Sequence, residues 1–293
     1  MRSFTFKKWN IILGWFVFTV ALITYWSTVE PTASFWDAGE YITTASNLEV
    51  GHPPGAPLYQ LMGAFFSIFA MEATNIALTI NLMSVFASAF TILFMFWSVT
   101  ILLSNLVEAN DKLTKSNQMA ILGSAAVASL AFTFTDSFWF SAVEAEVYAM
   151  AAFIMSVLFY AGLRWEREMF EPRGDKWVVL IAFVIGLSFG VHFMGLLTIP
   201  AIGFLYFFKN YKKVTVKNFL IANVVTVAIL LFIFKLLLPM TLRFFSAAEI
   251  FFVNTVNMPF NSGTIIAGLI FLAVFYFGLR YTCLLYTSPS PRD

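Results

Sequence analysis

Three stretches of this chain hold acids and histidines in settings where they could do chemistry. The first is Phe35-Trp36-Asp37-Ala38-Gly39-Glu40-Tyr41, followed by His52-Pro53-Pro54-Gly55-Ala56-Pro57. The second is Phe138-Trp139-Phe140-Ser141-Ala142-Val143-Glu144-Ala145-Glu146-Val147-Tyr148, and the third is His192, flanked by Gly190 and Gly195. Asp37 and Glu40 are three residues apart and share a face if the segment is helical. A loop that carries acids only for solubility has no need of Phe35, Trp36 and Tyr41 around them. Desolvating neighbours are what tune a carboxylate to take a proton from a hydroxyl. Glu144 and Glu146 are two apart and point to different faces of a helix, so one is free to line a cavity while the other caps or pairs. Asp136, just before them, reads as a helix cap or an interfacial charge. His52 precedes a proline pair and stiffens its loop. His192 reads equally as a packed core histidine and as a functional group, since ionisable side chains inside a membrane are costly. Arg243 suits a phosphate clamp but has Glu249 nearby as an alternative partner. Lys235, late in an apolar run, could snorkel toward the same zone.

The elements that carry these residues are membrane helices. Apolar residues make up 60% of the chain, aromatics 18% and charged residues 11%, well below the roughly one-quarter charged residues of a soluble domain. The net charge of +1 offers no basic field for nucleic acid. One cysteine, Cys283, excludes an intrachain disulfide and a cysteine-rich metal site. The sequence has no glycine-rich phosphate loop, zinc spacing or serine-hydrolase elbow, which argues against cytosolic nucleotide-driven chemistry.

Apolar runs at 10–27, 76–103, 119–135, 147–163, 177–191, 193–208, 219–238 and 264–279 predict an all-α polytopic transmembrane bundle of about eight spans. Trp26 and its bulky neighbours make a poor cleavage site, so the first run reads as a span rather than a signal peptide. The apolar stretch 58–71 is short, follows three prolines and reads as an interfacial or re-entrant helix. Lysine and arginine gather on one side: Arg2, Lys7 and Lys8; Lys112 and Lys115; Arg164, Arg167, Arg173 and Lys176; Lys209, Lys212, Lys213 and Lys217. The opposite loops, 28–75 and 136–146, contain none, and 239–263 has Arg243 alone. This asymmetry predicts a cytoplasmic N-terminus with the acids on the far side. Between Lys176 and Lys209 the chain must go out and return, and helices of about 15 residues reach about 22 Å, short of a core of about 30 Å. The turn at Gly190, His192 and Gly195 should therefore lie below the outer surface, near the floor of an outward-opening cavity. Residues 284–293 are polar, proline-rich and read as a non-native, adapter-like tail, leaving 1–281 as the transmembrane catalytic region and the N-terminal part of a longer protein.

The strings FWDAGEYI, GHPPGAPLY, AVEAEVYA and GLSFGVHF closely resemble a domain-of-unknown-function membrane family, common in Bacteroidetes and related to protein O-mannosyltransferases of the GT-C fold. The likeness runs to about Gly278. It implies a membrane glycosyltransferase of the bacterial inner membrane, with a periplasmic active site. Such an enzyme moves a sugar, mannose for example, from a polyprenyl-phosphate carrier to a hydroxyl of an exported protein or another acceptor, with inversion. The resemblance gives Asp37 the role of base and Glu40 an assisting role. Glu144, Glu146, His52, His192, Tyr148 and Arg243 are the substrate-binding candidates, with Arg243 on the leaving phosphate. The polyprenyl-phosphate sugar is the donor, and membrane lipid reaches the site from the side. No resident cofactor is required, although the clustered acids could hold a divalent metal. Two other readings are a transporter or lipid flippase, which would place ionisable groups mid-span in internally repeated broken helices, and a non-catalytic assembly subunit.

Overall fold

In the computed structural model, residues 5–110, 113–211 and 213–287 are described. Arg2, Lys112, Lys212 and residues 288–293 of the tail lie outside them. The elements are α1 (Phe6–Ser27), α2 (Ala38–Asn47), α3 (Pro57–Ser67), α4 (Ile76–Asn110), α5 (Lys115–Thr133), α6 (Asp136–Ala142), α7 (Val147–Glu168), α8 (Lys176–Ser188), α9 (Thr198–Asn210), α10 (Val216–Leu231), α11 (Leu238–Ile250) and α12 (Ser262–Thr287). Every described element is helical, as the apolar pattern requires. Six helical stretches are long and apolar enough to cross a membrane: Phe6–Ser27, Ala73–Ala109, Val147–Glu168, Phe193–Asn210, Val216–Thr255 and Ser262–Tyr281. The pair α5 and α6, bent by 68° at their junction, makes a seventh when the two are taken together as one broken span. The remaining expected span, α8, has 13 residues and at 1.5 Å per residue reaches only about 20 Å.

The chain divides into two compact units, 1–222 and 223–293. In the first, α4 is the central helix and packs against α1, α5 and α7. It is apolar on all sides, as a helix surrounded by others must be. One face, with Ile80, Met83 and Ala87, joins a core built with α2, α3, α7 and α8. The other, with Val85, Ala89, Ile92 and Phe96, joins α1, α5 and α6. Several hydroxyls of α4 turn back on their own helix: Thr91 Oγ1 donates to Ala87 O at 2.9 Å and Ser104 Oγ to Thr100 O at 2.7 Å. Such local bonds keep hydroxyls satisfied where no water is present. Helix α1 crosses α4 closely because Gly14 has no side chain. A Cβ there would lie 2.6 Å from Trp97 Nε1, and small residues are what allow membrane helices to approach.

The expected 58–71 helix is α3, a short half-buried helix packed on α2 and α4 rather than a span. In the second unit, the stretch 239–263 is not the expected outward loop. A continuous helical run extends from Val216 to Thr255, about 60 Å at 1.5 Å per residue. Pro239 does not end it because a π-helical turn, Phe232–Leu237, precedes the proline and loosens the backbone hydrogen-bond ladder there. Helix α12 also runs six residues past the expected end near Tyr281.

Gly14→Ala should lower the thermal midpoint of the detergent-solubilised protein, at a cost of roughly 1–3 kcal/mol for overpacking. Gly123→Ala is the control, because a Cβ at Gly123 meets nothing within 4 Å. It should hold or slightly raise the midpoint.

Candidate functional site

The site in the first unit is built on the segment that joins α1 to α4. Asp37 stands at the N-cap of α2 and Glu40 in its first turn. The spacing Asp-x-x-Glu would suit a capping box, but neither carboxylate is used that way. The Asp37 side chain makes no cap bond. Glu40 instead reaches across to the next turn of chain, where its Oε1 accepts from the His52 main-chain N–H at 2.6 Å and its Oε2 lies 3.1 Å from His52 Nδ1. The other ring nitrogen, Nε2, is 4.0 Å from Asp37 Oδ2. His52 thus stands between two carboxylates, gripped by one and facing the other. The His52 main-chain N–H, followed by its side chain, holds the Glu40 carboxyl below its usual value.

Phe35 and Trp36 do not desolvate these acids. They are 83% and 85% exposed, because Trp36 has a positive φ of 61° that turns the chain just before α2. Exposed aromatics next to membrane helices suit the headgroup boundary. The apolar wall comes from Tyr41 and the buried Tyr59, whose rings meet edge to face at 5.1 Å. Tyr41 also lies 5.8 Å from the His52 ring. Burial, then the charge of Glu146, pushes the Tyr41 phenol up to about 12.

The second acidic pair is not helical but lies in the bend between α6 and α7. Both residues are buried, Glu144 at 3% and Glu146 at 7% exposure. Ser34 Oγ donates to Glu144 Oε2. Burial raises the Glu144 carboxyl, partly offset by Ser34. Glu146 is pushed up to about 7, first by burial and then by the charges of Glu144 and Asp37, while the main-chain N–H groups of Val147 and Asp37 pull the other way. Asp37 therefore turns its carboxylate toward His52 and its N–H toward Glu146. Tyr148 extends this wall, with its ring 5.5 Å from that of His192. His192 caps the 3₁₀ helix Phe193–Leu197: its Nδ1 accepts from the Met194 N–H at 3.2 Å, so in the neutral ring the proton sits on Nε2. Burial lowers its affinity for a second proton.

The loops are held by polar side chains that the sequence reading overlooked. The buried Asn81 of α4 donates to the carbonyls of Glu30 at 2.6 Å and Thr32 at 2.9 Å, and the Glu30 N–H donates to Val143 O at 3.0 Å. These bonds tie the first acidic loop to the second. An asparagine in an apolar helix was the signal available for it. Gly190 O accepts from the N–H groups of Leu58 and Tyr59 at 2.7 and 3.1 Å, capping α3. A Cβ on Gly190 would fall 2.7 Å from Leu58 Cβ, so glycine permits the contact that draws the His192 turn into the site. Asp136 is the first residue of α6, where a negative charge suits the helix dipole.

The structure therefore brings together Asp37, Glu40, His52, Glu144, Glu146, Tyr148 and His192. Arg243 and Lys235 belong to the second unit, where both are exposed. Glu249 is not paired with Arg243 but accepts from the N–H groups of Asn261 at 2.6 Å and Thr264 at 2.8 Å. Asp37, Glu40 and His52 offer ligand atoms within 4.8 Å of one another and are the group that could hold a divalent cation.

Fold and composition define an integral, multi-pass membrane protein. Residues 37–215 match the family described as protein O-mannosyl-transferase TMEM260 N-terminal domain, and the chain belongs to that family. Protein O-mannosyl-transferase tmem260 of Dictyostelium discoideum is 27% identical over 216 residues, which cover 70% of this chain and 24% of the relative. Protein O-mannosyl-transferase TMEM260 of Mus musculus is 27% identical over 172 residues, 59% of this chain and 22% of the relative. The chain thus aligns with about a quarter of the length of these curated relatives. No solved structure matches. The family match begins at Asp37, encloses all seven gathered residues and stops short of Arg243.

Two tests follow from this geometry. Asn81→Leu leaves two carbonyls without their donor and should cost about 1–3 kcal/mol, with faster amide exchange in 30–36 while α7 stays protected. The folded pKa of Glu146, about 7, lies above the usual 4.5. The folded state then binds the proton more tightly, so the stability Glu146 contributes is present below pH 4.5 and lost as the pH rises through about 7. Glu146→Gln should melt like the native protein below that window and at a higher temperature above it.

Proposed function

We propose that this chain carries the catalytic end of a membrane glycosyltransferase that moves a sugar, mannose in the simplest case, from a polyprenyl-phosphate carrier to a hydroxyl of an exported protein. The observation that supports it best is the convergence of Asp37, Glu40, His52 and Glu146 within the part of the chain that matches the O-mannosyl-transferase family. In this reading the acceptor O–H gives its proton to the Asp37 carboxylate while its oxygen bonds to the anomeric carbon. The bond from that carbon to the carrier phosphate breaks on the opposite face, with inversion, and the electron pair leaves with the phosphate. Glu40 orients His52 through Nδ1, and His52 holds the Asp37 carboxylate in place. Glu144, Glu146, Tyr148 and His192 line the sugar pocket. Arg243 is assigned to the leaving phosphate on its charge alone. No metal is required by this scheme, and the Asp37, Glu40 and His52 group is where one would act. The lysine and arginine asymmetry supports a cytoplasmic N-terminus with the acidic site on the far side, and the resemblance of the motifs to a bacterial family supports an inner membrane and a periplasmic site.

A second reading makes Glu146 the base, favoured by its burial and a pKa near neutrality. The two separate in one assay: the chain reconstituted in liposomes with polyprenyl-phosphate-mannose and a serine- and threonine-bearing peptide. With Asp37 as base, Asp37→Asn should cut transfer by about 10²–10⁴-fold, His52→Ala by less, and Glu146→Gln should spare most of it. Loss in Glu146→Gln with activity kept in Asp37→Asn would move the role to Glu146. Undiminished transfer in both variants would leave the activity standing and move the base to another residue, whereas no transfer with the native chain would overturn the glycosyltransferase reading and favour a transporter.

A further inference from the structure

At the end of the first unit away from the acids lies a second polar site that the reaction does not use. A cavity of about 430 Å³ opens between α1, α4 and α7. The cations Lys7, Arg164 and Arg167 line it, and Trp97, Tyr160 and Asn10 help form its wall. Arg164 lies 18 residues along the chain from Glu146, about 27 Å at helical rise and close to the thickness of a hydrocarbon core. The cavity therefore sits at the opposite membrane boundary from the acidic site.

Three features of the cavity point to an anion with an apolar body. The lining holds three cations and one carboxylate, Glu168, which is also claimed by Lys176 at 2.8 Å and by Trp177 Nε1 at 2.9 Å. The arginines are fixed in place: Arg164 donates to Glu168 and to Tyr160 and lies 5.1 Å over the Trp177 ring, and Arg167 donates to Asn105 at 2.9 Å and to Ile101 O at 3.4 Å, with the exposed Glu108 carboxylate 3.9 Å away outside the lining. A guanidinium has five N–H donors, so each keeps donors for another oxygen. Finally, Asn10 Oδ1 is buried without a hydrogen-bond partner, an acceptor that a hydroxyl would satisfy. Trp97 and Tyr160 make the inner wall aromatic, and the neighbouring face of α1 carries exposed Ile11 and Trp15 toward the lipid. A small soluble anion would leave that apolar surface uncovered.

We propose that this cavity binds the phosphate headgroup of an anionic glycerophospholipid, with Lys7, Arg164 and Arg167 on the phosphate, Asn10 on a headgroup hydroxyl, and the first methylenes against Trp97 and Ile11. Basic pockets between membrane helices bind lipid headgroups by this chemistry. The occupant would staple α1 to α7 at the boundary where the acidic loops offer no support.

The test is native mass spectrometry of the full 293-residue chain in detergent, titrated with phosphatidylglycerol and separately with phosphatidylcholine. One phosphatidylglycerol should be retained at least about tenfold more tightly than phosphatidylcholine, and Lys7→Glu should weaken it by about tenfold. Lys7 is exposed and makes no ion pair among the described residues, so its reversal should leave folding intact, checked by circular dichroism. Ile101→Trp, which fills the cavity, should give the same loss with the charges unchanged. Equal retention of both lipids, or phosphatidylglycerol binding unaltered by both variants, would overturn the proposal. Displacement of the lipid by millimolar inorganic phosphate would overturn the lipid assignment in favour of a soluble anion. None of these outcomes depends on glycosyl transfer.

Discussion

Inside a hydrocarbon layer a polar group has no water to turn to, so each must find its partner within the protein. Helix α4 shows how this constraint organises the first unit. The hydroxyls of Thr79, Thr91, Thr100 and Ser104 bond back to the helix, which packs against α1, α5 and α7. Its one strong side-chain donor near the top, Asn81, is not spent within the helix but on the carbonyls of Glu30 and Thr32. The bonds that satisfy the buried Asn81 Nδ2 thereby fix the loop that leads to Asp37.

The acidic site depends on that fixing. Asp37, Glu40 and His52 remain partly open to solvent, whereas Glu144 and Glu146 are buried behind them. The result is a gradient: an exposed carboxylate–histidine–carboxylate array backed by a carboxyl whose burial brings it near neutrality. Environments that push neighbouring carboxyls apart are how one protein holds an acid and a base at the same pH. Here the difference arises from depth. Asp37 and Glu40 sit at the start of α2 and His52 in the turn that follows it, while the bend between α6 and α7 is bonded to the first loop through Glu30 and Ser34.

The two ends of the bundle then carry opposite characters. At the acidic end charges converge on one another with little cationic compensation. At the basic end arginines and lysines are interleaved with glutamates and aromatic rings, as at Arg164, Glu168 and Trp177. Long basic side chains reach the boundary while their stems stay apolar.

The sequence by itself determined the all-helical membrane character, the existence of most spans, the short α3 and the acidic and histidine motifs, because hydropathy and residue type are local properties. It also put a turn at His192, where the structure has the 3₁₀ helix Phe193–Leu197, although of the two flanking stretches only α8 is too short to cross. It could not determine that Trp36 and Phe35 point away, since a positive φ at a non-glycine residue has no local signal. The helix through Pro239 was equally hidden, because a π turn leaves no mark in composition. The clasp of Glu40 on His52, the tethers from Asn81 and Gly190, and the burial that raises Glu146 were decided only by tertiary structure. Each is a contact between segments far apart in the chain, and its strength depends on how much solvent the packed helices exclude.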